Sequence, residues 1–222
     1  MHLKAISFEE GLTRQSFTKN YLKPKIPVVL TDFTKDSAAL GKWDYSFFKQ
    51  VAGNNIVSVH GSEDAHPDKV TSPPATQMPF SEYLDLIEHQ PSEARLFIFN
   101  LLLDKPELKK DLKVKNIAPR LLTWLPLMFF GGKGASVRYH YDIDMSHVFL
   151  SQFEGEKKVY LFDNNQNELL YRLPYNFHGI TDLRNPDYEK FPRFKIFARM
   201  GMHFTIRRNI IYSFRFLALY SI

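Results

Sequence analysis

The sequence predicts a mainly β domain with flanking helices, arranged as an antiparallel barrel or jelly roll, and three observations support this fold class. Phe, Tyr and Trp make up 15% of the 222 residues, and aromatic side chains favour strands. The second half of the chain carries short strand patterns joined by tight turns, as barrels and jelly rolls do. The first half mixes strand and helix patterns, which places helices beside the β structure.

Helix and strand patterns alternate through the first half of the chain. A helix is predicted over residues 7–22, because Ser7 can cap it and Glu10 follows three residues later. Apolar residues at helical spacing predict further helices, and β-rich apolar runs predict strands. The further helices are expected at 40–51, 79–88 and 106–114, the strands at 28–31, 56–60 and 95–103, and a polar loop at 61–77.

The second half is denser in strand patterns. Strands are predicted at 136–142, 146–153 and 157–162, and the last two form a hairpin. Residues 163–168 are expected to form a turn, and residues 174–194 a long polar loop that contains three prolines.

Composition excludes several classes of protein. Without cysteine the chain cannot hold a disulfide, a thiolate metal site or a cysteine nucleophile. No apolar run approaches a membrane span and no secretory pattern is evident, so we expect a cytoplasmic protein without a membrane partner. Residues 191–222 hold six basic residues and no acidic one, so the net charge of +5 leaves −1 for residues 1–190. We therefore expect no nucleic-acid partner.

The sharpest chemical pattern is the pair His140 and Asp142 in a predicted strand. Residues i and i+2 of a strand share a face, so an imidazole and a carboxylate would lie side by side. These are two of the three ligands of the 2-His-1-carboxylate triad, which binds Fe(II) and leaves positions open. A polar pair on a surface strand is the alternative. Lys157 could pair with a carboxylate at the far side of the metal, and a solvated hairpin flank is its alternative.

Three separated blocks carry a resemblance to a known family: residues 26–32 with 42–44, residues 140–162, and residues 185–192. Over about residues 7–194 the chain resembles the JmjC/cupin-like family of Fe(II)- and 2-oxoglutarate-dependent oxygenases. Within that family its pattern is most similar to the asparaginyl hydroxylases that act on hypoxia-inducible factor.

The resemblance implies a fold, a site and an activity. The implied fold is a double-stranded β-helix, the cupin-like jelly roll, with helices on one side. The resemblance further implies that His140 and Asp142 bind Fe(II) and that Lys157 binds the distal carboxylate of 2-oxoglutarate. The implied reaction is hydroxylation of a protein side chain or a small molecule.

The sequence departs from the family pattern at the second histidine ligand. After residue 194 the only histidine is His203, which lacks the proline and aromatic context of that ligand and is a weak candidate for the third position. Phe97 and Val137 stand where the hydroxylases have a tyrosine and a threonine that bind the cosubstrate. These departures leave an alternative open, a catalytically impaired cupin-like module for metal binding or protein interaction.

We expect a single domain over residues 1–222 with three parts. Residues 1–120 form a mixed α/β part, residues 121–194 hold the β-helix with the metal motif, and residues 195–222 form an atypical tail. The tail is expected to be truncated and to leave the β-helix incomplete. The expected partner is a peptide, protein or small-molecule substrate, and the sequence leaves a homodimer open.

Overall fold

A computed structural model describes most of the chain: residues 6–61, 73–96, 99–117, 127–140, 147–163, 168–169, 171, 185–197, 202–206, 210–214 and 216–221. Within these residues eleven strands form three sheets, and short helices accompany them. The strands are β1 Ser7–Glu9, β2 Val28–Leu30, β3 Ile56–His60, β4 Thr76–Pro79, β5 Arg95–Leu96, β6 Ser136–His140, β7 His147–Ser151, β8 Lys157–Asp163, β9 Met202–Ile206, β10 Ile210–Phe214 and β11 Phe216–Ser221.

The helices are short and lie mostly in the first half. The α-helices are α1 Arg14–Phe17, α2 Ala39–Lys42, α3 Tyr45–Ala52, α4 Phe80–His89, α5 Leu101–Asp104 and α6 Phe194–Phe197. Helix α1 continues directly into a π-helix over Thr18–Leu22, and a 3₁₀ helix spans Pro106–Asp111. Within the part of the chain that the structure describes, none of the helices combines the length and the apolar character needed to cross a membrane.

Two of the sheets have four strands, and in each of them a strand from the C-terminal segment lies inside the sheet. The first has the order β1-β2-β10-β7 and the second the order β6-β11-β8-β9. Strands β10 and β11 lie inside these sheets, and each pairs antiparallel with a neighbour on both sides. Strand β9 forms the edge beside β8. The segment that the sequence sets apart as a tail therefore supplies three strands, two of them internal.

The third sheet, with the order β4-β3-β5, builds the main hydrophobic core together with α3 and α4. Helix α4 turns Phe80, Tyr83, Leu84 and Ile87 inward, and each of them is at most 5% exposed. Their i, i+3, i+4, i+7 spacing is the amphipathic pattern that predicts this helix from sequence. A second cluster joins α1 to β2 through Phe17, Val28 and Leu30.

The structure confirms the predicted mixture of strands with flanking helices and leaves the jelly roll unconfirmed. Among the described residues the strands form three small sheets that do not close into a barrel. The strands predicted at 28–31, 56–60, 136–142, 146–153 and 157–162 are present where the structure describes them, with ends that differ by at most two residues. The prediction that the last two form a hairpin is wrong, because β7 pairs with β10 in one sheet and β8 pairs with β11 and β9 in another.

Two helix predictions in the first half are wrong in detail. Residues Ser7–Glu9 form β1, a strand that pairs in parallel with β2, and the helix begins only after Thr13. Thr13 caps it with a capping box: its hydroxyl accepts from the Ser16 N–H at 3.1 Å, and the Thr13 N–H donates to the Ser16 hydroxyl at 2.9 Å. The helix predicted over 40–51 is interrupted, because Trp43 is extended and Asp44 starts α3 as a new cap.

The strand predicted over 95–103 and the two loops also need correction. Only Arg95–Leu96 is strand, and residues 97–98 lie outside the described part. Asn100 then caps α5, since its side-chain oxygen accepts from the Leu102 N–H at 3.2 Å.

The end of the predicted loop 61–77 is occupied by β4, and the end of the loop 174–194 by the start of α6; residues 62–72 and 172–184 are outside the described part. The helix predicted over 106–114 is a 3₁₀ helix.

A buried carboxylate joins three parts of the chain beside β2. Asp32 accepts hydrogen bonds from the Gly11 N–H at 3.0 Å and from the Lys115 ammonium at 2.6 Å. Burial raises the pKa of Asp32, but the hydrogen bonds from Lys115 and Gly11 outweigh burial and hold it below its ordinary value. Asp32 therefore stabilises the fold in its ionised form, and this contribution is lost as the pH falls below about 4.

We predict that Asp32→Asn lowers the free energy of unfolding at pH 7 by about 1–3 kcal/mol, because a buried charged hydrogen-bonding group is lost. The difference from wild type should shrink as the pH falls below about 4. Urea denaturation at pH 7 and pH 3.5 measures both values. Asp36→Asn is the matched control, because Asp36 is exposed and lies four residues away. Equal effects of the two substitutions would contradict this role of Asp32.

Candidate metal centre

The candidate site is built on the sheet β6-β11-β8-β9, and His140 is the last residue of β6. Its side chain is half-buried. In the register His140 lies opposite Ala218 of β11, and Ala218 lies opposite Leu161 of β8. Residues directly opposite each other on antiparallel strands share one face of a sheet. His140 and Leu161 therefore occupy the same face, with β11 between their strands.

Lys157 starts β8 and belongs to that face as well. Lys157, Val159 and Leu161 are buried, whereas Lys158 is exposed and Tyr160 half-buried. Because the side chains of a strand alternate, the three buried residues share the face of His140. Four residues along β8 and two strand spacings separate Lys157 from His140, on the order of 16 Å between their backbone positions. That separation leaves room for a small molecule between the two side chains.

Burial dominates the electrostatics of Lys157. Its exposed fraction is 7%, and burial lowers the pKa of its ammonium to about 8. The residue opposite it on β9 is Ile206. An ammonium group held in such a place gains most from an anionic partner that can form a charge-assisted hydrogen bond.

Several residues predicted for the site lie outside the described part. Asp142 is among residues 141–146, so its geometry beside His140 stays a prediction. Phe97, which stands at the position of a cosubstrate-binding tyrosine, is also outside it. Val137 lies within β6 and is half-buried.

The register separates His203 from the other candidates. His203 lies in β9 opposite Tyr160 of β8. Side chains alternate along β8, so position 160 belongs to the face opposite that of Val159 and Leu161. The backbone register therefore assigns His203 to the face that lacks His140 and Lys157. The sheet as described does not bring His203 next to His140.

A second group of potential metal ligands lies on α4. The side-chain oxygen and nitrogen atoms of Asp85, Glu88 and His89 lie within 4.8 Å of one another, and all three residues are exposed. Their i, i+3, i+4 spacing is a signal that the sequence analysis did not use. The Lys49 ammonium already lies 2.7 Å from Asp85 Oδ1 and 2.6 Å from Glu88 Oε2. The hydrogen bond from Lys49 lowers the pKa of Asp85, as expected for an ion pair without a metal.

A comparison with known protein families identifies the domain. The family model described as a cupin-like domain matches residues 14–207, which is most of the chain. The chain belongs to the cupin-like domain family. The recognition of a JmjC/cupin-like domain from the sequence is thereby confirmed.

Three relatives show which named proteins the cupin-like chain is similar to. It is 27% identical over 195 residues to lysine-specific demethylase 8 of Xenopus tropicalis, covering 81% of this chain and 42% of the relative. It is 25% identical over 226 residues to JmjC domain-containing protein D of Dictyostelium discoideum, covering 87% and 48%. It is 24% identical over 204 residues to tRNA wybutosine-synthesizing protein 5 of Gallus gallus, covering 83% and 63%. The chain thus spans less than two thirds of the length of each of these relatives.

We predict that the buried ammonium of Lys157 destabilises the free protein below pH 8. The difference between a pKa of about 8 in the folded chain and about 10.4 in the unfolded chain corresponds to roughly 3 kcal/mol. The unfolded state binds more protons between these values, so stability should rise as the pH increases from 8 to 10.

Lys157→Met should abolish that rise, and Lys158→Met, at the exposed neighbouring position, should preserve it. Denaturant unfolding at pH 7.5, 9 and 10 measures the three curves. A parallel pH dependence of wild type and Lys157→Met would show that Lys157 is not buried in the free protein.

Proposed function

We propose that this cupin-like chain is an Fe(II)- and 2-oxoglutarate-dependent oxygenase that hydroxylates a protein side chain or a small molecule. The observation that carries the proposal is the buried Lys157 on the sheet face of His140. Membership of the family and the similarity to a protein named lysine-specific demethylase 8 support it. The name of that relative favours a peptide or protein as the substrate class.

The donor groups of the chain fit this cofactor and cosubstrate in part. An imidazole and a carboxylate are the ligand types that non-haem Fe(II) takes, and His140 and Asp142 would supply them. A buried ammonium suits one carboxylate of a dicarboxylic acid, and Lys157 would supply it. The third metal ligand is the part that does not fit, because the register assigns His203 to the opposite face.

Each residue would have a distinct task. With Fe(II) and 2-oxoglutarate bound, the site would reduce O₂ and oxidise a C–H bond of the substrate. Lys157 would hold the distal carboxylate and so fix the orientation of the oxoacid. The buried neighbours Val159 and Leu161 would keep water away from that ion pair, which strengthens it. His140 would bind metal through a neutral ring nitrogen.

The register of His203 favours a second candidate function. With only His140 and Asp142 from the chain, a metal would be held weakly, and the domain would serve as an impaired cupin-like module for metal binding or protein interaction. The two functions differ in one property, which is whether metal and 2-oxoglutarate bind together.

The discriminating experiment is an anaerobic titration of the protein with Fe(II) and 2-oxoglutarate, followed by the metal-to-ligand charge-transfer band. We predict that the wild-type protein develops the band and that His140→Ala weakens Fe(II) binding by more than about tenfold, in line with the sensitivity of such sites to their ligands. His203→Ala is the matched control and should preserve the band, because of its place in the register. A wild-type protein without the band would exclude the oxygenase and favour the impaired module.

A further inference from the structure

The junction between α2 and α3 holds a buried tryptophan in a fixed orientation. Trp43 is 5% exposed, and its backbone N–H donates to the Ala39 carbonyl at 2.9 Å, which ends α2. Asp44 follows it and caps α3 by accepting from the Phe47 N–H at 2.7 Å. The backbone of Trp43 is thus held by a helix end on one side and a helix start on the other.

The indole ring of Trp43 is held as firmly as its backbone. Its Nε1–H donates to Asp111 Oδ2 at 3.0 Å, and Asp111 belongs to the 3₁₀ helix. The Lys42 ammonium donates to the same carboxylate at 2.8 Å. The hydrogen bond fixes the rotation of the ring, so the ring presents one defined apolar face to its neighbours.

That ring contacts the turn that joins β7 to β8, the strand that begins at Lys157. The centroids of Trp43 and Phe153 are 5.2 Å apart with an interplanar angle of 54°, and Phe153 follows β7. A pair of aromatic rings at this distance is favourable beyond the area that it buries.

The turn between Phe153 and Lys157 is short and its backbone is constrained. The Gln152 side-chain amide donates to the Glu154 carbonyl at 2.6 Å. Gly155 has φ of +72°, which glycine adopts readily and most other residues do not. Lys157 comes only four residues after Phe153. A turn this short and this constrained fixes where β8 begins once Phe153 is anchored.

We propose that Trp43, held by Asp111, is a positioning residue that anchors the turn between β7 and β8 at Phe153 and thereby sets the place of the Lys157 ammonium at the start of β8. The consequence for cosubstrate affinity rests on the proposed function. The placement of Lys157 does not, because it concerns the free protein alone.

The test compares Trp43→Phe with two matched variants. Trp43→Phe keeps an aromatic ring and loses the hydrogen bond to Asp111. Lys42→Met removes the ion pair to the same carboxylate and keeps the indole bond. Phe80→Leu perturbs the same core at a ring whose described partners are Tyr83, Phe99 and Phe130, and it controls for general destabilisation.

The primary readout is the titration of Lys157 in ¹³C-lysine-labelled protein, with its Cε resonance assigned through its loss in Lys157→Arg. Trp43→Phe should move the midpoint from about 8 towards the ordinary value near 10.4, whereas Lys42→Met and Phe80→Leu should leave it in place. If Trp43→Phe is too unstable, Asp111→Ala removes the same hydrogen bond and should shift the midpoint in the same direction. An unchanged midpoint in the folded variant would overturn the proposal, and so would an equal shift in Phe80→Leu.

A second readout separates this proposal from the proposed function. If the oxygenase assignment is right, Trp43→Phe should weaken 2-oxoglutarate binding by about tenfold and leave Fe(II) binding unchanged, since His140 lies on β6 and not on β8. A shifted Lys157 midpoint in a protein that never binds 2-oxoglutarate would support the positioning role and refute the oxygenase. An unshifted midpoint in a protein that binds 2-oxoglutarate would refute the positioning role and support the oxygenase.

Discussion

The backbone hydrogen bonding of β11 is the constraint on which the candidate site depends. Phe216–Ser221 pairs with β8 along its whole length and with β6 on its other side. Without this strand in the middle, His140 and Lys157 would belong to strands with no common sheet. Because antiparallel pairing fixes which residues share a face, a single strand decides that both side chains belong together. Strand β10 does the same for the other four-stranded sheet, where it joins β2 to β7.

The parts of the fold that could be predicted from sequence are those with a local pattern. Val28–Leu30 is a run of β-rich apolar residues between turn signals, and α4 repeats apolar residues at helical spacing. Strand β1 has no such pattern: Ser7–Glu9 is a strand because it pairs in parallel with residues 21 positions later in the chain. The three strands after residue 201 likewise depend on partners far away in the sequence. Distant pairing of this kind leaves little trace in the strand itself.

The candidate site shows the same division at the level of single residues. The sequence could name Lys157 but could not separate an inward ammonium from a solvated hairpin flank, since Lys157 and Lys158 are identical neighbours. Burial decides this, with Lys157 inside and Lys158 outside. The sequence could also name His203, but it could not show which face of the sheet His203 belongs to. A shift of one position in the register moves a residue to the other face, and only the observed pairing fixes the register. The pairing of Asp142 with His140 still rests on the i, i+2 spacing alone.

The most direct test of the account is the register of β11 against β8, and the absence of native cysteine makes it simple to measure by disulfide trapping. The account predicts that at least one of two in-register double variants, Leu161→Cys with Ala218→Cys or Tyr160→Cys with Leu219→Cys, oxidises to an intramolecular disulfide. The out-of-register combination of Tyr160→Cys with Ala218→Cys should keep its thiols. Free-thiol titration and mass spectrometry read out both results. A disulfide in the out-of-register variant, with free thiols in both others, would place Lys157 on the face opposite His140 and contradict the central claim.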